Sequence, residues 1–300
     1  MKRCLVAAAA LLLTFGGSPA NAQAKLKVIA SFSILGDLVR NVGGDRTVVE
    51  TLVGPNGNSH IYVPSPSDAK KVADADVVVV NGLGLEGWLD RLVKASGTRA
   101  PIVVATDGIK ARGPGADDDH EHDHGRFDPH AWQSVPNAKI MVTNIREALI
   151  AADPANKGVY TSNATAYLAK LDGLDHEVRD VIAKIPHDRR RVITSHSAFG
   201  YFADTYGVEF TAPQGVSTDA EASAKDIASI IAQIKKQKIS AVFLENVTDP
   251  RPMKQIASET GAKIGGTLYS DALTDDNGDA ATYIELIRHN LKQLATALTS

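Results

Sequence analysis

The sequence predicts an α/β protein of two lobes, each a mainly parallel sheet flanked by helices, joined by one long rigid helix. Two observations carry this expectation. Short β-branched runs alternate with segments of helical spacing, once before residue 110 and again after residue 190, the rhythm of a parallel sheet covered on both faces. Between them, Pro154 opens a stretch without further proline up to about Lys184, in which apolar residues recur at helical spacing. The length suits two compact lobes of ordinary domain size.

The elements follow in order. Residues 27–32 form the first predicted strand. Residues 33–42 form a helix stopped by Gly43-Gly44, because glycine takes a left-handed cap at no steric cost. Residues 47–53 are rich in β-branched side chains, a second strand. A run of turn residues then leads to Ser65-Pro66-Ser67-Asp68. That is a helix start, with serine as N-cap, proline at the first position and an acid in the first turn. Four consecutive valines within residues 76–81 mark a strand buried on both faces. Residues 85–95 read as an amphipathic helix and 102–105 as the fourth strand.

Residues 137–152 make one helix, which Asp153-Pro154 breaks. The long helix that follows carries Tyr160, Tyr167, Leu168, Leu171, Leu174, Val178, Val181 and Ile182 at helical spacing. It ends at Ile185-Pro186, since the residue before proline is pushed out of the α region. Roughly thirty residues at ~1.5 Å each give a rod of about 45 Å. The second lobe repeats the first, with strands at 191–194, 208–210, 241–244 and 263–269. Its helices fall at 198–206, 223–236, 252–260 and 282–298.

The chain opens Met1-Lys2-Arg3, runs apolar from Leu5 to Phe15, and continues through small residues to Ala20-Asn21-Ala22. This reads as a secretory signal peptide cut after Ala22, too short in its apolar run to span a bilayer. The expected organisation is a signal peptide at 1–22 and an N-terminal lobe at 23–153 with an acidic, histidine-containing loop at 113–127. The linking helix occupies 154–185 and the C-terminal lobe 186–300. Cleavage removes Cys4, the single cysteine, so any metal must be held by nitrogen and oxygen. It also removes Lys2 and Arg3 with no acid, taking the formal charge from −3 to −5. That balance argues against nucleic acid as a partner.

The acidic loop holds His120, His122 and His124, and His130 follows in Asp128-Pro129-His130-Ala131-Trp132. Neutral imidazole is the commonest metal ligand. A charged run of this kind is a solvated loop that still offers auxiliary metal ligands. His60 follows the second strand, His130 the fourth and His196 the fifth, while Glu245 and Asp271 follow two more. Ligands bind at the carboxyl ends of strands in open α/β sheets, so these five residues are the candidate site. Taken singly, His60 also fits a plain turn, His196 the neighbourhood of a helix N-cap, Asp271 a turn cap, and Glu245 a holder of loop backbone amides. His176, His187 and His289 read as surface or packing residues, and Trp88 and Trp132 as packing.

The chain resembles the metal-specific solute-binding proteins of ABC transporters, the group serving zinc, manganese and iron. Four stretches carry the resemblance. They are Val53-Gly54-Pro55 through His60-Ile61-Tyr62-Val63-Pro64-Ser65-Pro66-Ser67-Asp68, Asp128-Pro129-His130-Ala131-Trp132, Thr194-Ser195-His196-Ser197-Ala198-Phe199-Gly200-Tyr201-Phe202, and Ser270-Asp271-Ala272-Leu273. The resemblance implies a metal site in the interlobe cleft made by His60, His130, His196 and Asp271; Glu245, singled out by its strand end, is an outer partner or an alternative ligand. It points to a non-catalytic binding protein, which the signal peptide places in the periplasm and which is expected to be a monomer; three imidazoles and one carboxylate suit tetrahedral Zn2+, with Mn2+ or Fe2+ the alternative. Its implied partners are an ABC permease and a periplasmic metallochaperone. Three features depart from a single pattern: Asn58-Ser59 replaces the acid–proline pair usual before the first histidine, the histidine-rich loop resembles that of zinc members but is short, and Asp271 resembles the fourth ligand of manganese members while His196 stands where many of those carry glutamate. One carboxylate among the ligands would leave a zinc site at about +1. A secreted zinc hydrolase, with Glu245 as its general base, and a metal-dependent adhesin or scaffold are the rival readings.

Overall fold

The computed structural model describes residues 24–113 and 127–299. The signal-peptide reading and His120, His122 and His124 fall outside these residues. Two four-stranded, all-parallel sheets form the framework, and they share one topology. The first has order β2-β1-β3-β4, from β1 (Leu26–Phe32), β2 (Thr47–Val53), β3 (Val77–Val80) and β4 (Ile102–Val104). The second has order β6-β5-β7-β8, from β5 (Arg191–Ile193), β6 (Glu209–Thr211), β7 (Ala241–Glu245) and β8 (Lys263–Leu268). The valines of β3 are all buried, as a strand covered on both faces requires.

The helices of the first lobe are α1 (Ser33–Gly43), α2 (Pro66–Ala73), α3 (Leu89–Ser96) and α4 (Val135–Ala152). Ser65 caps α2 in a complete capping box with Asp68. The helix expected from residue 85 begins only at Leu89. Gly82, Leu83 and Gly84 all take positive φ, and the buried Glu86 carboxylate accepts the N–H groups of Asn81 (2.7 Å) and Gly82 (3.1 Å). The backbone is therefore spent on a turn where periodicity alone suggested helix. The helix expected from residue 137 starts earlier, at Val135, with Pro136 in its first turn where no N–H is needed.

A short 3-10 turn (Pro154–Asn156) leads into α5 (Lys157–Ala183). Its 27 residues span about 40 Å at ~1.5 Å per residue. Tyr160, Ala164, Tyr167, Leu171, Leu174, Val178 and Ile182 form its buried stripe, while Leu168 and Val181 are only partly buried. The second lobe adds α6 (Gly200–Tyr206), α7 (Ala224–Gln237), α8 (Arg251–Thr260) and α9 (Tyr283–Thr299).

One continuous core runs through both lobes. It joins β1, α1, α4 and α5 to α6 and α9, while Ile193, Ile230, Ile234, Val242, Met253 and Ile256 form a smaller core under α7 and α8. Asp37 of α1 receives the backbone N–H of Tyr283 at the start of α9 (3.0 Å), and Tyr283 donates its hydroxyl to the Trp132 carbonyl (2.7 Å). The last helix is thus bound to the first lobe. Among the described residues no helix is long and apolar enough to cross a membrane.

Candidate metal centre

Four donor groups converge in the cleft: His60, His130, His196 and Asp271, with donor atoms all within 4.8 Å of one another. His60 leaves the loop after β2, His130 the segment after β4, His196 the end of β5 and Asp271 the end of β8. The cleft is almost closed to solvent, for the His60 side chain is 4% exposed and the other three 0%.

Each group is fixed from behind. The Asn58 side-chain oxygen accepts the His60 N–H (3.0 Å), and Trp88 donates its indole N–H to the Ser59 carbonyl (2.9 Å). Asp128 Oδ1 accepts the His130 N–H (3.0 Å) and lies 2.8 Å from the ring Nδ1. Glu245 Oε1 accepts the backbone N–H groups of Ser195 (2.7 Å) and His196 (3.0 Å), and its Oε2 lies 2.6 Å from His196 Nδ1. The Ser270 carbonyl, one bond before Asp271, receives both the Trp132 indole N–H (2.9 Å) and the Gln133 amide (2.7 Å). Carboxylates behind imidazoles fix the tautomer and turn Nε2 toward the site.

The geometry between the facing atoms is regular. His130 Nε2 stands 3.2 Å from His60 Nε2 and 3.4 Å from His196 Nε2. Asp271 Oδ2 stands 3.3 Å from His60 Nε2 and 3.2 Å from His196 Nε2, and its Oδ1 stands 3.5 Å from His130 Nε2. A tetrahedron around an ion with ~2.0–2.1 Å bonds has edges of about 3.3 Å. Both Asp271 oxygens are buried without a hydrogen bond, a costly state unless a cation faces them. With both oxygens turned inward, the same cleft also offers five donors.

Charge is shared unevenly. Burial pulls His196 down, but the carboxylates of Glu245 and Asp271 outweigh it and hold the imidazole well above its ordinary value. Burial pushes Asp271 up, yet His196 and His130 hold it well below the ordinary carboxylate range. Burial dominates at His60 and lowers it. Arg112 Nη1 lies 3.5 Å from Asp128. A divalent ion held by the four groups would, with Arg112, balance the three buried carboxylates Asp271, Asp128 and Glu245. The count of one carboxylate is therefore too simple, because Asp128 and Glu245 act from behind their histidines.

Glu245 does not stand among the four converging groups. Both its oxygens are committed to the Ser195–His196 segment, so the alternative-ligand and general-base readings fail on geometry, and the holding of loop amides is what the structure has. Sequence reasoning missed the parts of Asp128 and Arg112. The Asp-x-His spacing of Asp128 and His130 was the available signal for the first; nothing local points to the second. Trp88 and Trp132 are packing residues whose N–H groups also clamp the backbone beside His60 and Asp271. His176 and His187 are exposed, and His289 lies 3.0 Å from the Thr267 carbonyl.

The family model described as zinc-uptake complex component A, periplasmic, matches residues 28–297. The iron-binding protein YfeA of Yersinia pestis is 35% identical over 282 residues, covering 93% of this chain and 88% of that protein. The manganese-binding lipoprotein MntA of Halalkalibacterium halodurans is 34% identical over 274 residues, covering 91% and 89%. Among solved structures, the Mn-bound periplasmic metal-binding protein of candidatus Liberibacter asiaticus superposes with a TM-score of 0.82 at 34% identity, covering 91% of this chain and 100% of that one. The periplasmic zinc-binding protein TroA of Treponema pallidum gives 0.84 at 29% identity, covering 91% and 99%.

Proposed function

The chain belongs to the family of periplasmic zinc-uptake components, the metal-binding substrate-binding proteins of ABC transporters, and from that premise we propose that its cargo is Zn2+, held by His60, His130, His196 and Asp271. Such proteins bind and hand over their substrate without chemical conversion, and they work with a membrane permease and its ATPase. In this reading the protein works in the periplasm after loss of residues 1–22, receives zinc there from the free pool or a metallochaperone, and releases it to the permease.

The observation that supports zinc is the donor set. Three imidazole nitrogens and one carboxylate, with separations of 3.2–3.5 Å, suit four-coordinate zinc. Manganese favours more oxygen and higher coordination. One observation favours Mn2+ or Fe2+ as the second reading: both Asp271 oxygens face the imidazoles, which supplies a fifth donor. The buried carboxylates behind the histidines remove net charge as a reason to prefer zinc, so donor identity carries the choice. Raw affinity does not separate the metals, because zinc outcompetes manganese in most nitrogen sites. The test is X-ray absorption of the loaded site together with growth of a strain lacking the protein. Four ligands at roughly 2.0–2.1 Å and rescue by zinc are expected. Five- or six-coordinate metal with rescue by manganese alone would overturn zinc and leave the transport role standing.

A further inference from the structure

We propose that Arg112 is a positioning residue for the metal centre. It holds Asp128, which holds His130, and it links that hold to the contact between the two lobes. The proposal rests on His130 being a metal ligand.

Asp128 is completely buried. Its Oδ1 is used twice on His130, at the backbone N–H and at ring Nδ1. Its Oδ2 has no hydrogen bond, and the charge facing it is the Arg112 guanidinium at 3.5 Å. A buried carboxylate stripped of its compensating cation is costly. Without Arg112, Asp128 would lower that cost by turning away from its buried position, and the ring of His130 would lose the group that fixes its tautomer and direction.

The pair is also fastened to the second lobe. Arg112 accepts the Asp128 N–H at its carbonyl (2.8 Å), so residues 112 and 128 are bound main chain to main chain. Tyr201 of α6 accepts the Arg112 N–H (2.9 Å) and donates its hydroxyl to the Asp128 carbonyl (3.2 Å). Asp204, one turn further along α6, accepts from Arg112 Nε at 3.1 Å. Gly200 opens α6 at the point of closest approach, where an added Cβ would sit 2.5 Å from both Arg112 Nη1 and Asp128 Oδ2. Arg112, Asp128 and His130 come from the first lobe, and Gly200, Tyr201 and Asp204 from the second. The direction of one ligand is thereby tied to the seating of the other lobe.

The test uses the mature chain, with Zn2+ and Mn2+ each titrated against a competing chelator. Loss of an outer carboxylate partner of a metal-bound histidine typically costs about 10- to 100-fold in affinity. Asp128→Asn is expected in that range. Arg112→Gln, one contact further out, is expected to weaken binding about five- to tenfold, on the order of the lower end of that range, and Arg112→Lys to recover most of it by keeping the charge. The double variant Arg112→Gln/Asp128→Asn should be no weaker than Asp128→Asn alone, and Arg112→Gln should change nothing further in a His130→Ala background. A general loss of folding would instead add in both backgrounds. The proposal is overturned by Arg112→Gln affinity within about twofold of the parent, or by an effect that persists in full when Asp128 or His130 has been replaced. His130→Ala binding like the parent removes the ligand assignment instead, which separates that failure from failure of the Arg112 link.

Discussion

Metal binding should release close to one proton per ion at pH 7, and His196 should be its source. Burial lowers this imidazole, but Glu245 and Asp271 raise it well above its ordinary 6.5, so in the metal-free protein it keeps its proton to higher pH than an ordinary imidazole does. An incoming cation must displace it, since only neutral imidazole binds metal. His60, lowered by burial, is already neutral there. Below the raised value, apparent affinity should therefore fall tenfold per pH unit, or about 1.4 kcal/mol.

Stability should follow with a definite sign. The proton on His196 stabilises the metal-free fold fully below pH 6.5 and ceases to do so as pH rises through the raised folded value. The increase in Tm on adding metal should accordingly grow with pH above 6.5. Asp271, held low, stabilises above 3.8 and loses that effect only as pH falls through its lowered folded value, so it contributes no slope near neutrality. Titration calorimetry in two buffers of different ionisation enthalpy counts the protons. Glu245→Gln should cut the count toward zero at pH 7 and move the pH dependence down to the ordinary imidazole range. No proton release at pH 7, or an unchanged count in Glu245→Gln, would refute this account of the site's electrostatics.

Three further outcomes are expected. Replacing His60, His130 or His196 singly by Ala should weaken binding at least about tenfold, ~1.4 kcal/mol each, as read by competition titration; two near-normal variants would dismantle the four-group site. Deleting residues 117–124 should leave the tight site intact and remove weak additional stoichiometry, because a highly charged run of ligands gains an ion only by giving up roughly 1–2 kcal/mol per ordered residue in backbone entropy; loss of the tight site would contradict an auxiliary role. Metal-free and loaded forms should differ in solution scattering by only a small lobe tilt, given a proline-free α5 and the Asp37–Tyr283 fastening; a wide opening would count against this.

The parallel sheets, the long helix and the four positions that the structure brings together were legible because they depend on local signals: β-branched runs, caps, proline placement and the carboxyl ends of strands. The late start of α3 was not. Its turn is set by Glu86, whose carboxylate also takes the Ser31 hydroxyl at 2.6 Å, a partner far away in sequence. Asn58 shows a different limit. By sequence it was a departure from the family pattern. In the structure its amide reaches across the cleft to Thr218 (2.8 Å) and the Val247 carbonyl (3.2 Å) while its oxygen takes the His60 N–H. Arg112 and Gly200 escaped for a related reason, since each matters through contacts with residues distant in sequence.

The fastening of α9 to α1 has a bearing on when the protein becomes competent. Asp271 and Tyr283 stand late in the chain and are made after the three histidines. Until they arrive, Asp37 lacks the Tyr283 N–H it receives in the finished fold, α5 lacks its neighbour on one flank, and three imidazoles wait without their carboxylate. Competence to hold an ion with all four groups therefore requires the C-terminal segment to be in place. The ion pool that first meets the finished cleft is that of the compartment where the last helix docks.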